Sequence, residues 1–202
     1  MTTIPAAMEA WPVKANIRNP ERSALLVLDW QGFFVDPSSK AFIPGCLDAA
    51  PRLEAAGRLF LKEGNMVLAT RHHGACDGAD PFLRFYGRTI SKNDPLFGLA
   101  PPIGAIPGLV VVDKTTYSAF EGGELEEKLL RANVGRLFLA GVQSDKCVLA
   151  SAFAAFDRGF EVTVISDCSV ARDVKSGAAA LAIMERACGT VTLLRDLAGG
   201  EK

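Results

Sequence analysis

Short, continuous apolar runs alternate along the chain with longer stretches in which apolar residues recur at every third or fourth position. The runs are Ser23–Asp29 (SALLVLD), Met66–Thr70 (MVLAT), Leu109–Asp113 (LVVVD), Arg136–Ala140, Glu161–Ser166 and Thr190–Leu194. They lack the polar alternation of a half-exposed sheet, and so read as strands buried on both faces. Between them, Leu47–Lys62 carries Leu47, Ala50, Leu53, Ala56, Leu59 and Phe60 at helical spacing, with Gly64 just beyond as a stop. Glu124–Asn133, a segment from about Cys147 to Arg158, and Val174–Cys188 also read as helices. Parallel strands need crossover connections, and helices supply them. The pattern therefore predicts an α/β fold: a three-layer, doubly wound, mostly parallel six-stranded sheet with helices on both faces.

Three stretches stand outside the alternation. Residues 1–22 hold Pro5, Pro12 and Pro20 and no period, which predicts an extended N-terminal arm with Trp11 packed on a neighbouring element or subunit. Residues 74–108 are rich in Gly, Pro and Asp but also hold Phe82, Phe85, Tyr86 and Phe97, as expected of a lid or pocket wall. The residues after Leu194 read as a polar tail, leaving 23–196 as a single domain.

Composition narrows the function classes. Hydrophobic residues make up 49% and charged residues 22% of the 202 positions, with a formal net charge of −1. Such a length suits one well-buried domain. Neither nucleic acid nor a membrane surface is expected as partner, because basic residues are few and dispersed. The longest apolar stretches, such as Val148–Phe156, are too short to span a bilayer. Cys46, Cys76, Cys147, Cys168 and Cys188 show no C-x-x-C spacing, which argues against a disulfide framework or a zinc ribbon. With no basic region leading into an apolar run within Met1–Pro20, the expected location is the cytoplasm. Gly-x-Gly-x-x-Gly and phosphate-loop motifs are absent, which weighs against a nucleotide cofactor.

In open parallel sheets, ligands bind beyond the carboxyl ends of the strands, near the point where strand order reverses. Asp29 follows the first strand, Lys114 the third, and Cys147 lies just past the fourth. Gly141 breaks that fourth strand. Ser144 or Asp145 is placed to cap the following helix, with Cys147 in its first turn. Read alone, Cys147 is a small residue of a core helix, and Asp29 and Lys114 are solvated strand ends. Together they could place an acid, a cation and a thiol in one crevice. There, a thiolate favoured by Lys114 and the helix end would attack a carbonyl, with Asp29 moving the proton. Backbone N–H groups of the turn before Cys147 would hold the oxyanion.

The motifs LLVLDWQ (Leu25–Gln31), DKTTYSAF (Asp113–Phe120) and LAGVQSDKCV (Leu139–Val148) resemble, in order, those of the isochorismatase-like cysteine hydrolases, which include nicotinamidases and N-carbamoylsarcosine amidase. The resemblance implies a Rossmann-like isochorismatase fold over Ala24 to about Leu194. It implies Asp29, Lys114 and Cys147 as catalytic residues and the backbone N–H groups of Gln143 and Cys147 as oxyanion hole. It also implies a non-proline cis peptide at Val142–Gln143 and a homodimer or homotetramer. Nicotinamidases carry a metal-binding Asp-x-His with a later His. The matching Thr70-Arg71-His72-His73-Gly74 lacks that Asp, and adjacent histidines seldom point at one ion, so no metal and no cofactor are expected.

Substrate contacts are expected from Arg71 and His72 at the second strand end. Gln31 would orient Asp29 or hold a substrate amide, while the aromatic wall is expected from Phe33, Phe34, Phe85, Tyr86, Tyr117 and Phe120. Gln143, where the family usually has a small residue, would narrow the pocket or add a hydrogen bond. The leading expectation is a metal-independent cysteine hydrolase cleaving an amide or ureido C–N bond of a small molecule through a thioester. Two alternatives stand beside it. One is an isochorismatase-type vinyl ether hydrolase with Asp29 as general acid; the other is a non-catalytic small-molecule-binding member of the fold.

Overall fold

The structure is a computed structural model that describes residues 22–75 and 80–198. The expected arm, apart from Arg22, and Cys76 therefore lie outside the described residues.

Six strands form one all-parallel sheet in the order β3-β2-β1-β4-β5-β6. They are β1 (Ser23–Leu28), β2 (Met66–His72), β3 (Val110–Lys114), β4 (Arg136–Val142), β5 (Glu161–Val170) and β6 (Thr190–Thr192). Alternate residues of β1 show why the apolar runs are continuous. Ala24, Leu26 and Leu28 face a core shared with α4 (Glu124–Arg131), α5 (Leu149–Asp157) and α6 (Val174–Ala187). Leu25 and Val27 face the opposite core, built on α2 (Gly45–Lys62). All five are fully buried, and each such side chain is worth about 1.5–3 kcal/mol. The doubly wound, three-layer architecture with helices on both faces is thus the one the hydrophobic pattern predicts.

Several boundaries differ from that prediction. Gly141 does not break the fourth strand; β4 continues through Val142, because β5 follows it after a register shift between Leu139 and Gly141. For the same reason β5 runs on past Ser166, pairing Ser169 with Gly141 and Val170 with Val142. The aromatic loop after β1 contains a single helical turn, α1 (Gly32–Val35), whose Phe34 and Val35 pack on the α2 core. The 74–108 segment holds α3 (Pro81–Tyr86), opened by Pro81, capped by the Asp80 carboxylate on the Phe82 and Leu83 N–H groups, and closed by left-handed Gly87. The sixth strand stops at Thr192. The expected polar tail is instead α7 (Leu194–Ala198), because Leu194 and Leu197 pack on the α2 core and Asp167 accepts the Leu194 N–H.

Candidate active site

The central strands β1 and β4 are neighbours, yet the chain leaves them in opposite directions, β1 toward β2 and β4 toward β5. Their carboxyl ends therefore flank an open crevice. Asp29 is the first residue after β1 and has a left-handed φ of 49°, uncommon for a non-glycine residue. Thr70 of β2 holds it there from two sides. The Asp29 N–H donates to Thr70 Oγ1 (3.1 Å), and that hydroxyl donates to Asp29 Oδ1 (2.7 Å).

Lys114, the last residue of β3, reaches the same place. Its Nζ lies 2.7 Å from Asp29 Oδ2, 2.9 Å from the Thr116 carbonyl and 3.4 Å from Cys147 Sγ. An ammonium has three protons, and three acceptors surround this one. All three residues are buried: Asp29 is 0%, Lys114 4% and Cys147 9% exposed. Burial works to lower the Lys114 pKa, but the Asp29 charge and the hydrogen bonds to Asp29 and Cys147 outweigh it and raise it above the usual value.

Cys147 is delivered by an unusual turn. Gly141 has φ 107°, and a Cβ there would meet the Leu28 carbonyl oxygen at 2.3 Å, so the position admits only glycine. The Val142–Gln143 peptide is cis. Gln143 then occupies the cap position of a wide π turn, Ser144–Val148, in which its carbonyl accepts the N–H of Lys146 and of Val148. The expected cap by Ser144 or Asp145 is not made; those residues lie inside the turn and Gln143 precedes it without a side-chain cap bond.

Burial works against the thiolate that Lys114 and the helix end would favour. Burial pushes the Cys147 thiol up to about 12, and the nearby Asp29 charge adds to this, while Lys114 opposes it without prevailing. The sequence shows the cation and the helix start, but not the loss of water. At rest the sulfur carries its proton, within hydrogen-bonding reach of both Asp29 and Lys114.

Above the thiol lies a cavity of about 270 Å³, with Asp29, Cys147, Val142 and Gln143 at its base. Phe33, Phe34, Phe82, Tyr86 and Tyr117 form aromatic walls. The Tyr86 and Tyr117 hydroxyls share a 2.6 Å hydrogen bond, and the Phe82 ring packs on Tyr117 and on His72. His72 is buried and lines the cavity; burial first, then the Lys114 charge, lowers its pKa to about 4, so it is neutral at ordinary pH.

Four of the seven expected substrate contacts, Phe34, His72, Tyr86 and Tyr117, line this cavity, and three do not. Gln31 is a structural clamp, accepting the His72 N–H and donating to the His72 and Phe97 carbonyls. Arg71 turns to Asp113 and lies over the Phe97 ring, satisfying its charge away from the cavity. Phe120 is in the α4–α6 core against Phe160. Phe85, expected in the wall, does not line this cavity and is 80% exposed. The sequence reading missed Thr70, Arg88, Lys146 and Arg172; the first three have only adjacency to motif residues or to the aromatic segment as a signal, and Arg172 has none. Gln143 lines the cavity, and its Oε1 accepts from Lys146 Nζ (3.2 Å) and the Arg172 N–H (3.4 Å).

Among the described residues no group of three or more His, Cys, Asp or Glu side chains could hold a metal ion. His73 Nδ1 is turned 2.7 Å from the Gly74 carbonyl, so the two histidines do not converge. The donor set among the described residues does not fit a metal.

The open parallel sheet, with an acid, an amine and a thiol at its strand ends, is the arrangement that the resemblance to the isochorismatase-like cysteine hydrolases implies. The Isochorismatase domain family model matches residues 23–196. An uncharacterised isochorismatase family protein of Bacillus subtilis, PncA, is 32% identical over 155 residues, which are 71% of this chain and 83% of that protein. The maleamate amidohydrolase of Pseudomonas putida is 28% identical over 154 residues, 73% of this chain and 71% of that one. The crystal structure of a cysteine hydrolase from Pseudomonas syringae pv. phaseolicola shares the fold, with a TM-score of 0.83, 22% identity and 93% of each chain covered. The chain belongs to the isochorismatase family and is a hydrolase of that family.

Proposed function

We propose that the protein is a metal-independent cysteine hydrolase that cleaves an amide or ureido C–N bond of a small molecule through a thioester, with Asp29, Lys114 and Cys147 as its catalytic residues. The observation that carries this reading is the Lys114 ammonium set between Asp29 Oδ2 (2.7 Å) and Cys147 Sγ (3.4 Å). As the substrate carbonyl arrives, Asp29 takes the thiol proton and the sulfur attacks carbon. Lys114 stabilises the sulfur's charge during transfer, which a buried thiol with a pKa near 12 requires. The N–H groups of Gln143 and Cys147 are the proposed donors to the oxyanion. Protonated Asp29 then delivers its proton to the leaving nitrogen, and the C–N bond breaks to release ammonia or an amine. Water gives a proton back to Asp29 and adds to the thioester, whose collapse frees the acid and restores the thiol.

Similarity to a maleamate amidohydrolase supports an amide over a vinyl ether as the bond cleaved. A binding-only role is disfavoured by the buried ion pair poised on the thiol. The test is ammonia release over a panel of small primary amides and N-carbamoyl compounds, with hydroxylamine added to intercept the acyl-enzyme. The expected result is diversion of product to the hydroxamate; hydrolysis that hydroxylamine does not divert would overturn the thioester route.

The protein is further proposed to work in the cytoplasm as a homodimer or homotetramer. Exposed Leu83 (48%) and Phe85 (80%) on α3 offer apolar surface for such an assembly. Among the described residues no helix is long and apolar enough to cross a membrane.

A further inference from the structure

Tyr86 and Tyr117 do more than line the cavity above Cys147. Together with Phe82 they also line a second hollow, of about 750 Å³, whose remaining lining is Pro81, Arg84, Phe85 and Thr116. The three rings are common to both linings, and so form a partition between the catalytic cavity and the hollow.

The partition is closed by the 2.6 Å bond between the Tyr86 and Tyr117 hydroxyls. The Phe82 ring backs it, 4.8 Å from the Tyr117 ring and 6.4 Å from the Tyr86 ring. Its two leaves are not equally fixed. Tyr117 sits between two anchors: the Thr116 carbonyl accepts from Lys114 Nζ, and the Ala119 N–H donates to the buried Ser151 hydroxyl. Tyr86 ends α3, whose start is tied down by the buried Asp80 but which contains no buried residue of its own. Gly87 follows, left-handed and with open space where a Cβ would lie. Tyr86 is 42% and Tyr117 36% exposed, and a neutral hydrogen bond so placed exchanges for bonds to water at little net cost. Tyr86 can therefore leave Tyr117 without disturbing Lys114 or the cores on either side of the sheet. Cavity and hollow then become one space.

We infer that the hollow is a second subsite, that it takes an aromatic arm of an amide or ureido substrate, and that Tyr86 at its entrance is a specificity-determining residue. The inference deepens the hydrolase reading and rests on it for the scissile bond. An aromatic arm suits the hollow because four rings and Pro81 line it and no carboxylate does. With the partition closed, the cavity of about 270 Å³ selects against length; with it open, length adds buried apolar area. No bond is made or broken in the hollow. The arm adds affinity and helps to hold the carbonyl over the thiol.

The experiment separates binding from turnover by using the Cys147→Ala chain, which lacks the thiol. Calorimetry measures benzamide and 4-benzyloxybenzamide, and the quantity read is the ratio of their Kd values within each variant. Tyr86→Phe keeps the ring and removes the hydroxyl bond. A ligand that needs a minor open state binds more weakly by the fraction open, so this change is expected to raise the preference for the long amide. The preference should reach about tenfold or more, from a value about threefold or more lower in the parent. Tyr117→Phe breaks the same bond and is expected to act alike, the double change adding nothing further. Phe85→Ala removes a ring of the hollow that is 80% exposed, and is expected to lower the ratio.

The inference is overturned if the long amide binds no tighter than benzamide in Tyr86→Phe, if that change lowers the ratio, or if Phe85→Ala leaves the ratio unchanged. A second copy of the chain as occupant of the hollow would appear in gel filtration as dissociation by Phe85→Ala with no change in the ratio. That result also overturns it. Ammonia release by the unmodified enzyme distinguishes the two readings. Tight binding of the long amide without hydrolysis would sink the hydrolase reading and leave the subsite. Hydrolysis of benzamide without any preference for the arm would sink the subsite alone.

Discussion

At the level of single residues, the notable feature is a nucleophile kept neutral. Cys147 has an ammonium 3.4 Å from its sulfur, and yet burial holds its pKa near 12. The difference in 240 nm absorbance between wild type and Cys147→Ala is therefore expected to stay flat from pH 6 to 9; a thiolate step in that window would show that Lys114 prevails. Asp29 is positioned by one hydroxyl. Thr70→Val removes both of its bonds to Asp29 and is expected to lower kcat by about 10- to 100-fold with KM little changed, Thr70→Ser restoring most of it. Loss confined to KM would contradict that role. Asp29, Lys114 and Cys147 were legible as a group because each ends or follows an apolar run. Thr70 was not, since a threonine closing a strand looks like any β-branched strand residue. Its partner is fixed by a left-handed backbone at Asp29 that no pattern announces. Arg88 and Arg172 were illegible for another reason: their convergence depends on two carbonyls of a third segment.

At the level of elements, the turn from Gly141 to Cys147 sets where the sulfur sits. Gly141 packs directly on the β1 backbone, so Gly141→Ala is expected to cost about 3 kcal/mol or more in urea unfolding. Gly64→Ala is the control. It has a similar sign of φ (73°) but open space around its Cβ, and about 1 kcal/mol is expected. Equal costs would mean that the close approach to Leu28 is not what fixes the turn. The strands and the long helices were readable from periodicity, because β1 and β4 bury both faces and α2 buries one. The pieces that escaped are short. The single turn α1, the π turn and α7 are stabilised by what they pack on, not by their own four or five residues.

For the whole molecule, the two cores on either side of the sheet leave buried thiols on both faces. Burial raises Cys46 and Cys168 to about 12, as it does Cys147. Above about pH 9 the unfolded chain ionises these thiols while the folded chain does not, so the folded state binds more protons and stability falls as pH rises. Lys114 adds to the decline only above its usual pKa of 10.5, since its raised pKa stabilises the fold until the folded amine loses its proton. The Tm is therefore expected to decline between pH 8 and pH 10.5, and less steeply in Cys168→Ala; a flat profile would contradict the burial of these groups. The fold class was legible at this scale because strand–helix alternation leaves few topologies. The meeting of Arg88 and Arg172 on the cavity lining was not, because it is made by tertiary contacts alone. The most direct test of the account is the rate of ammonia release, on the best amide of the panel, by wild type and by a cooperatively folded Cys147→Ala chain. A loss of about 10³-fold or more is expected. An unchanged rate would show that Cys147 is not the nucleophile.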